Sequence, residues 1–259
     1  MKKYYIPLII ILISSSGCAL FSKEEVKTGD NWSVERVYSE AKSALDAGDY
    51  STALQHYSQL EARFPFGQYA QQALLESAYA QYKNDDPETS IATIDRFMRV
   101  YPLNTNMDYA IYLRGLTNFT RDIGIMEKYI PRDETQRDPG SALLALQDFT
   151  TLVNRYPKSK YSEDASQRIV YLRNRLAQHE VNVAYYYMKR SAYLAAANRG
   201  KYVIENYPRT PAMPDALLVM AKAYKIMGLE TLSDDALRVL ELNYPGHPGV
   251  AEVSQTLAE

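Results

Sequence analysis

An aromatic residue followed by proline recurs five times, as Phe64-Pro65, Tyr101-Pro102, Tyr156-Pro157, Tyr207-Pro208 and Tyr244-Pro245. Proline lacks a backbone N–H and its ring clashes with the preceding turn, so no regular helix continues through any of these points. Successive prolines lie 37, 55, 51 and 37 residues apart. That spacing predicts five units with a basic period in the mid-thirties, the third and fourth enlarged by about fifteen to twenty residues.

Each unit reads as helix, turn, helix, stop. In the first, an apolar-periodic segment from Ser33 to Ala47 breaks at Gly48-Asp49, and a second runs from Tyr50 to Arg63. Ala53, Tyr57 and Leu60 share one face of that second helix, where the small Ala53 admits a neighbouring helix closely. The fourth unit repeats the offsets: Tyr193 precedes Pro208 as Tyr50 precedes Pro65, and Ala196 takes the place of Ala53. The second unit pairs Tyr69–Lys83 with Pro87–Val100 across Asn84-Asp85-Asp86, with Pro87 suited to a first helical turn. The third pairs Met107–Phe119 with Ser141–Arg155 around an irregular polar insertion, 122–139, and the fifth pairs Ala212–Met227 with Thr231–Asn243 across Gly228. In the fourth unit no Gly or Pro interrupts Ser162–Lys189, which allows one helix of 28 residues, about 42 Å long. Such a helix either joins two sub-arrays, offers a surface to a partner, or simply matches the inserted third unit in packing. The pattern is that of tetratricopeptide repeats. The expected fold is all-α, a right-handed superhelix of five helix-turn-helix repeats at about 33–65, 69–102, 106–157, 161–208 and 212–245, within an array of 32–245 followed by a tail, 246–259.

Ahead of the array, Lys2 and Lys3 precede an apolar run from Tyr4 to Ile13, then Ser14, Ser15, Ser16, Gly17 and Cys18. A basic start and a short apolar core are the marks of an export signal, and the run falls well below the roughly 20 residues of a membrane-spanning helix. The small residues before Cys18 resemble the lipobox of bacterial lipoproteins, with Ser15 where leucine is usual. Residues 1–17 are therefore expected to be removed, Cys18 to be acylated, and 18–31 to form a polar tether. Ala19 lacks the Asp associated with inner-membrane retention, which favours the outer membrane. Removing Lys2 and Lys3 leaves 27 basic against 31 acidic residues, a balance that gives nucleic acid no attraction.

Catalytic and metal chemistry find little support in the residues. With one cysteine there is no internal disulfide, and His56, His179 and His247 are scattered without zinc-site spacing. No G-x-S-x-G, H-E-x-x-H, P-loop or GxGxxG motif is present. Carboxylate pairs such as Glu24-Glu25, Asp85-Asp86 and Asp234-Asp235 are sequence neighbours, whose side chains diverge. No enzyme activity and no cofactor are expected. The 23 tyrosines against 6 phenylalanines suit thin helical layers in which a ring is buried and its hydroxyl reaches water. The mixed-charge run from Pro131 to Pro139 reads either as a docking loop or as plain solvated loop.

Arg63-Phe64-Pro65-Phe66-Gly67-Gln68-Tyr69 followed by Gln71-Gln72-Ala73, then Ala92 to Arg99, Tyr112 to Asn118, Arg137-Asp138-Pro139, Arg173 to Ala177, Val183 to Tyr186 and Ala197-Asn198-Arg199, resemble in order the BamD family, lipoproteins of the outer-membrane β-barrel assembly machinery. The resemblance implies N-terminal repeats that recognise the C-terminal targeting strand of unfolded barrel proteins, C-terminal repeats that bind the periplasmic domains of BamA, and BamC lying along the molecule beside other Bam lipoproteins. A strand ending in an aromatic residue needs an apolar pocket with donors nearby. Phe64, Phe66 and Tyr69 are candidate walls and Arg63 a candidate carboxylate partner, although the same cluster also reads as packing between units one and two. Arg199, set beside Ala195, Ala196 and Ala197, is the candidate ionic contact with BamA. The competing expectation is an envelope tetratricopeptide lipoprotein that scaffolds cell-wall or division enzymes. A lytic transglycosylase would need a catalytic domain beyond the fifth repeat, where about ten residues follow.

Overall fold

The computed structural model describes residues 31–121, 135 and 138–254. Those residues form helices and connecting turns, with no strand among them. In chain order the helices are α1 (Val34–Asp46), α2 (Tyr50–Arg63), α3 (Gln68–Lys83), α4 (Pro87–Val100), α5 (Met107–Thr120), α6 (Gly140–Arg155), α7 (Ser162–Lys189), α8 (Tyr193–Asn206), α9 (Met213–Ile226), α10 (Glu230–Asn243) and α11 (Gly249–Ser254). The leader, Cys18 and most of the 122–139 insertion lie outside the described residues. The chain divides into two compact units, 1–73 and 74–259, and the division falls inside α3.

A repeated set of backbone hydrogen bonds explains why the proline spacing is so regular. The N–H of the aromatic residue before each proline donates to the carbonyl four residues earlier, from Phe64, Tyr101, Tyr156, Tyr207 and Tyr244 to Leu60, Phe97, Leu152, Val203 and Leu240, each at 2.8 Å. The acceptor residues are fully buried, and the aromatic residues share one non-helical C-cap conformation with φ between −124° and −134°. Twelve residues before each proline stands a small side chain, Ala53, Ser90, Ala145, Ala196 or Ser233, fully or almost fully buried. Where it is serine, the hydroxyl donates across the hairpin: Ser90 Oγ to Ala78 O at 2.8 Å and Ser233 Oγ to Ala221 O at 2.9 Å.

The turn inside the hairpin is equally regular. Seventeen residues before the proline, Gly48, Asp85, Ser191 and Gly228 all take positive φ, at 80°, 62°, 56° and 69°. Paired bonds close the preceding helix around each, as in Gly48 N to Leu45 O and Asp49 N to Ala44 O. These are Schellman-type caps, in which the left-handed residue satisfies carbonyls the helix end leaves open. In the third repeat this register falls on Gly140, the first residue of α6, directly after the insertion.

Within the second unit, consecutive helices from α4 to α10 pack pairwise, and α9 also touches α7 and α11. The largest core includes Ile94, Phe97, Ile111, Leu113, Phe149, Leu152 and Leu172, none more than 1% exposed. Burying each such side chain contributes about 1.5–3 kcal/mol. At Gly115 a Cβ would lie 2.7 Å from the Phe149 ring, and at Gly200 it would lie 2.7 Å from the backbone oxygen of Ala216. These glycines set close helix approaches at α5–α6 and α8–α9. Helix α7 runs unbroken for 28 residues, its earlier half against α6 and its later half against α8.

Candidate functional site

The N-terminal candidates lie where α2 ends and α3 begins. Arg63, the last residue of α2, donates from Nη2 to the Trp32 carbonyl at 2.9 Å, and its guanidinium sits 5.1 Å from the centre of the Phe64 ring. Phe64 is half-buried as the C-cap. Phe66, between Pro65 and the positive-φ Gly67, projects into solvent with 87% of its surface exposed. Tyr69 instead packs on Tyr38 of α1, ring centres 5.2 Å apart, and Tyr38 in turn lies 6.5 Å from Tyr57. Arg63 and Phe64 are therefore brought together, Tyr69 joins the tyrosine cluster of the first hairpin, and Phe66 stands by itself as an exposed ring.

Two neighbours of this region were not singled out from the sequence. The ring of Trp32 stacks on the almost fully buried His56 at 6.1 Å and 22°, and Arg36 covers Trp32 at 4.5 Å. His56 Nδ1 has no hydrogen-bond partner, and burial holds its pKa below the usual imidazole value against the opposing pull of Glu40. The available signal was positional: the one tryptophan of the chain immediately precedes the first helix, and His56 lies one turn beyond Ala53 on the packed face of α2.

The C-terminal candidate, Arg199, lies on α8 with its side chain 44% exposed. Its Nη1 donates to Glu180 Oε2 of α7 at 2.9 Å, and the Glu180 side chain is only 13% exposed. The hydrogen bond from this carboxylate raises the Arg199 pKa above its usual value, with a further contribution from Tyr187. One turn along α8, Tyr202 is 41% exposed and meets Tyr207 edge-on at 5.9 Å. Burial pushes the Tyr207 hydroxyl strongly upward in pKa, with Tyr202 adding to it. Arg199 thus emerges from between tyrosines with one carboxylate already bound.

A second arginine carries a more complete version of that arrangement. Arg114 of α5 donates from Nε and Nη2 to Asp148 Oδ1 at 3.0 and 2.6 Å, and from Nη1 to Asp95 Oδ1 at 2.6 Å. Asn118 Nδ2 donates to the other Asp148 oxygen at 3.1 Å. Asp148 is 5% exposed and Asp95 43%. Burial raises the Asp148 pKa even against the pull of Arg114, so the guanidinium is what makes the charged carboxylate tolerable there. Nearby, Tyr112 and Arg168 both donate to Asp164 Oδ2, at 2.7 and 2.6 Å, and the Arg168 guanidinium lies 5.0 Å from the centre of the Phe119 ring. These pins join α4, α5, α6 and α7, and their readiest role is to fix helix positions.

Of the insertion, Thr135 meets α7: its carbonyl lies 2.8 Å from His179 Nδ1, and its Oγ1 accepts from Asn182 Nδ2 at 2.7 Å. Among the described residues no group of three His, Cys, Asp or Glu side chains converges as a metal site, and no helix is long and apolar enough to cross a membrane.

Tandem helical hairpins closed by the same cap bonds define the class, an all-α repeat protein of the tetratricopeptide kind. The chain belongs to the YfiO outer membrane lipoprotein family, whose model matches residues 30–240. It is 42% identical over 246 residues to the outer membrane protein assembly factor BamD of Neisseria meningitidis serogroup B, covering 92% of both chains. It is 39% identical over 241 residues to BamD of Xylella fastidiosa strain Temecula1, covering 93% of this chain and 82% of the relative. With BamD of Vibrio cholerae it shares 39% identity over 208 residues, 80% of this chain and 86% of the other. The protein is an outer-membrane lipoprotein with a role in outer membrane protein assembly.

Proposed function

We propose that the protein is a non-catalytic scaffold, anchored through lipid on Cys18, that holds unfolded barrel proteins near BamA and supports their folding and insertion. The first hairpin receives the C-terminal strand of the substrate: Phe66 offers an apolar ring, Phe64 and Tyr69 flank it along the chain, and Arg63 provides a cation for the terminal carboxylate. The C-terminal repeats bind the periplasmic domains of BamA through Arg199, with BamC and the other Bam lipoproteins as further partners. Repeat surfaces suit this work because they hold relative orientations without a deep cleft.

The observation that carries the substrate reading is Phe66, a large ring 87% exposed two residues along the chain from Phe64, which pairs with the Arg63 cation. An exposed ring two residues along the chain from a cation–aromatic pair suits recognition of an aromatic carboxyl terminus. A photo-crosslinker at position 66 is expected to trap the terminal peptide of a barrel protein, and no adduct there would remove the pocket. Affinity purification from gently solubilised envelopes is expected to recover BamA. Replacing Arg199 by Glu is expected to weaken that recovery, and cell-wall enzymes without BamA would redirect the reading to a different envelope scaffold.

A further inference from the structure

The α4–α5 and α6–α7 turns meet at one edge of the second unit, where Ser159 Oγ donates to Asp108 Oδ2 at 2.6 Å and the rings of Tyr109 and Tyr161 lie 5.4 Å apart. Between the turns is a shallow notch of about 420 Å3 lined by Thr105, Asp108, Arg155, Lys158 and Ser159. The first turn carries two large apolar side chains in solvent, Val100 at 54% and Leu103 at 95% exposure. The second carries Arg155, Lys158 and Lys160, all exposed. Among the described residues no carboxylate bonds to Arg155 or Lys158. Asp108 is the acid of the notch, and its two oxygens already accept from Ser159 Oγ and, at 2.8 Å, from the Tyr109 N–H. Residues 99–108 and 155–163 hold Arg99, Arg155, Lys158 and Lys160 against Asp108 and Glu163, a net +2 in a chain of net −2. The other end of α4 is opposite in character, with Asp85 and Asp86 exposed in the turn that precedes it.

We propose that this edge is a phospholipid-binding surface: Leu103 and Val100 enter the acyl boundary of an anionic leaflet, while Arg155 and Lys158 at the notch take a headgroup phosphate. Exposed aliphatic side chains with cations beside them are the composition that settles in a membrane interface. Attraction between a lysine or arginine and a negatively charged leaflet fades within about a Debye length, so the contact depends on closeness. Attachment provides that closeness, because the protein is an outer-membrane lipoprotein and meets the bilayer at high effective concentration. An acidic protein would also match the cations. Leu103, however, projects from a turn at 95% exposure, a shape that a fluid acyl layer accepts without a complementary pocket. The consequence is orientation: lipid attachment alone leaves the repeats free to rotate, and this contact turns one edge of the second unit toward the bilayer.

The test uses the full lipidated protein reconstituted in vesicles of mixed phosphatidylethanolamine and phosphatidylglycerol. A photo-crosslinking phenylalanine analogue replaces Leu103 or, in the exposed turn at the other end of α4, Asn84. A phospholipid adduct, read by peptide mass spectrometry, is expected at position 103 and none at position 84. Arg155→Gln and Lys158→Gln are each expected to lower the adduct yield at 103 by about 5-fold, the attraction of one cation to a charged leaflet. Vesicles of phosphatidylcholine alone are expected to lower it at least as far. Both substitutions fall on exposed side chains, and circular dichroism checks that the fold is kept. Absence of an adduct at 103, or equal adducts at 103 and 84, overturns the proposal, since attachment alone would then account for any proximity. A yield unchanged by both substitutions overturns the headgroup site. Crosslinking from position 103 to a protein in place of lipid in native envelopes overturns the membrane assignment and makes the edge a protein interface.

Discussion

Replacing Arg114 by Met leaves Asp148 in place, 5% exposed, with the Asn118 amide as its remaining partner in the network. A carboxylate in that position either stays charged at a large desolvation cost or takes up a proton. The second route sets the scale. Holding a carboxyl of ordinary pKa near 3.9 neutral at pH 7 costs about 1.36 × 3.1, or about 4 kcal/mol, in line with the roughly 3–5 kcal/mol typical of breaking a buried ion pair. At pH 5 the same cost is about 1.5 kcal/mol. The sign follows from proton counting: in the variant the folded-state pKa of Asp148 lies far above its unfolded value, so stability from the neutral group is present at low pH and lost as pH rises. Between pH 5 and 7 the variant should therefore lose about 1.36 kcal/mol per pH unit relative to the wild type. Urea unfolding followed by far-ultraviolet circular dichroism at pH 5, 6 and 7 measures this difference. A variant within about 1 kcal/mol of wild type at pH 7, with a flat difference across the range, would refute the argument that Arg114 sustains a buried charge. The double variant Arg114→Met/Asp148→Leu, which removes both charges, is expected to recover most of the loss.

Gly200→Ala places a Cβ 2.7 Å from both the Ala216 oxygen and Met220 Cγ, so α8 and α9 must separate at a cost of about 1–3 kcal/mol, seen as a lower Tm. Asp85→Gly and Ser191→Gly relieve side-chain clashes at φ 62° and 56°, and each is expected to raise stability by about 0.5–1 kcal/mol in the same unfolding assay. Burial lowers the His56 pKa, so the unfolded chain binds its proton first; stability of the first hairpin is present above about pH 6.5 and falls as pH drops through that value toward the folded-state pKa. The stacked Trp32, the single tryptophan of the chain, reports this by fluorescence, and His56→Phe should abolish the transition.

The helices were legible because proline and glycine act locally. Pro65, Pro102, Pro157, Pro208 and Pro245 stop helices by covalent structure alone, and Gly48 and Gly228 announce left-handed turns because they lack a Cβ. Asp85 and Ser191 make the same turn without that signature. Their places in the repeat emerge only when residues are counted back from proline, since neither side chain by itself demands positive φ. Likewise Ser90 and Ser233 read as ordinary polar residues, yet each is buried against a carbonyl of its partner helix, at the position where other repeats place alanine. A hydroxyl that bonds across a hairpin and a methyl that merely fits there are alternative solutions to one close approach.

Charge partnership is the part that composition and period do not encode. Asp148 lies 34 residues from Arg114 and Glu180 lies 19 from Arg199, distances that carry no helical phase and are set by how the hairpins pack. The sequence marks Arg199 as unusual because alanines precede it, but it gives no indication that α7 supplies a shielded acid. That acid changes what the arginine means. An isolated surface cation attracts any anion weakly and is screened by salt, whereas a guanidinium already anchored to a carboxylate 13% exposed presents its remaining donors in a fixed direction. The length of α7 is what brings this about. By continuing to Lys189 beyond the half that packs on α6, the helix carries Glu180 to the α8 face and so converts a long helix, otherwise explicable by packing alone, into the support for an outward-facing arginine.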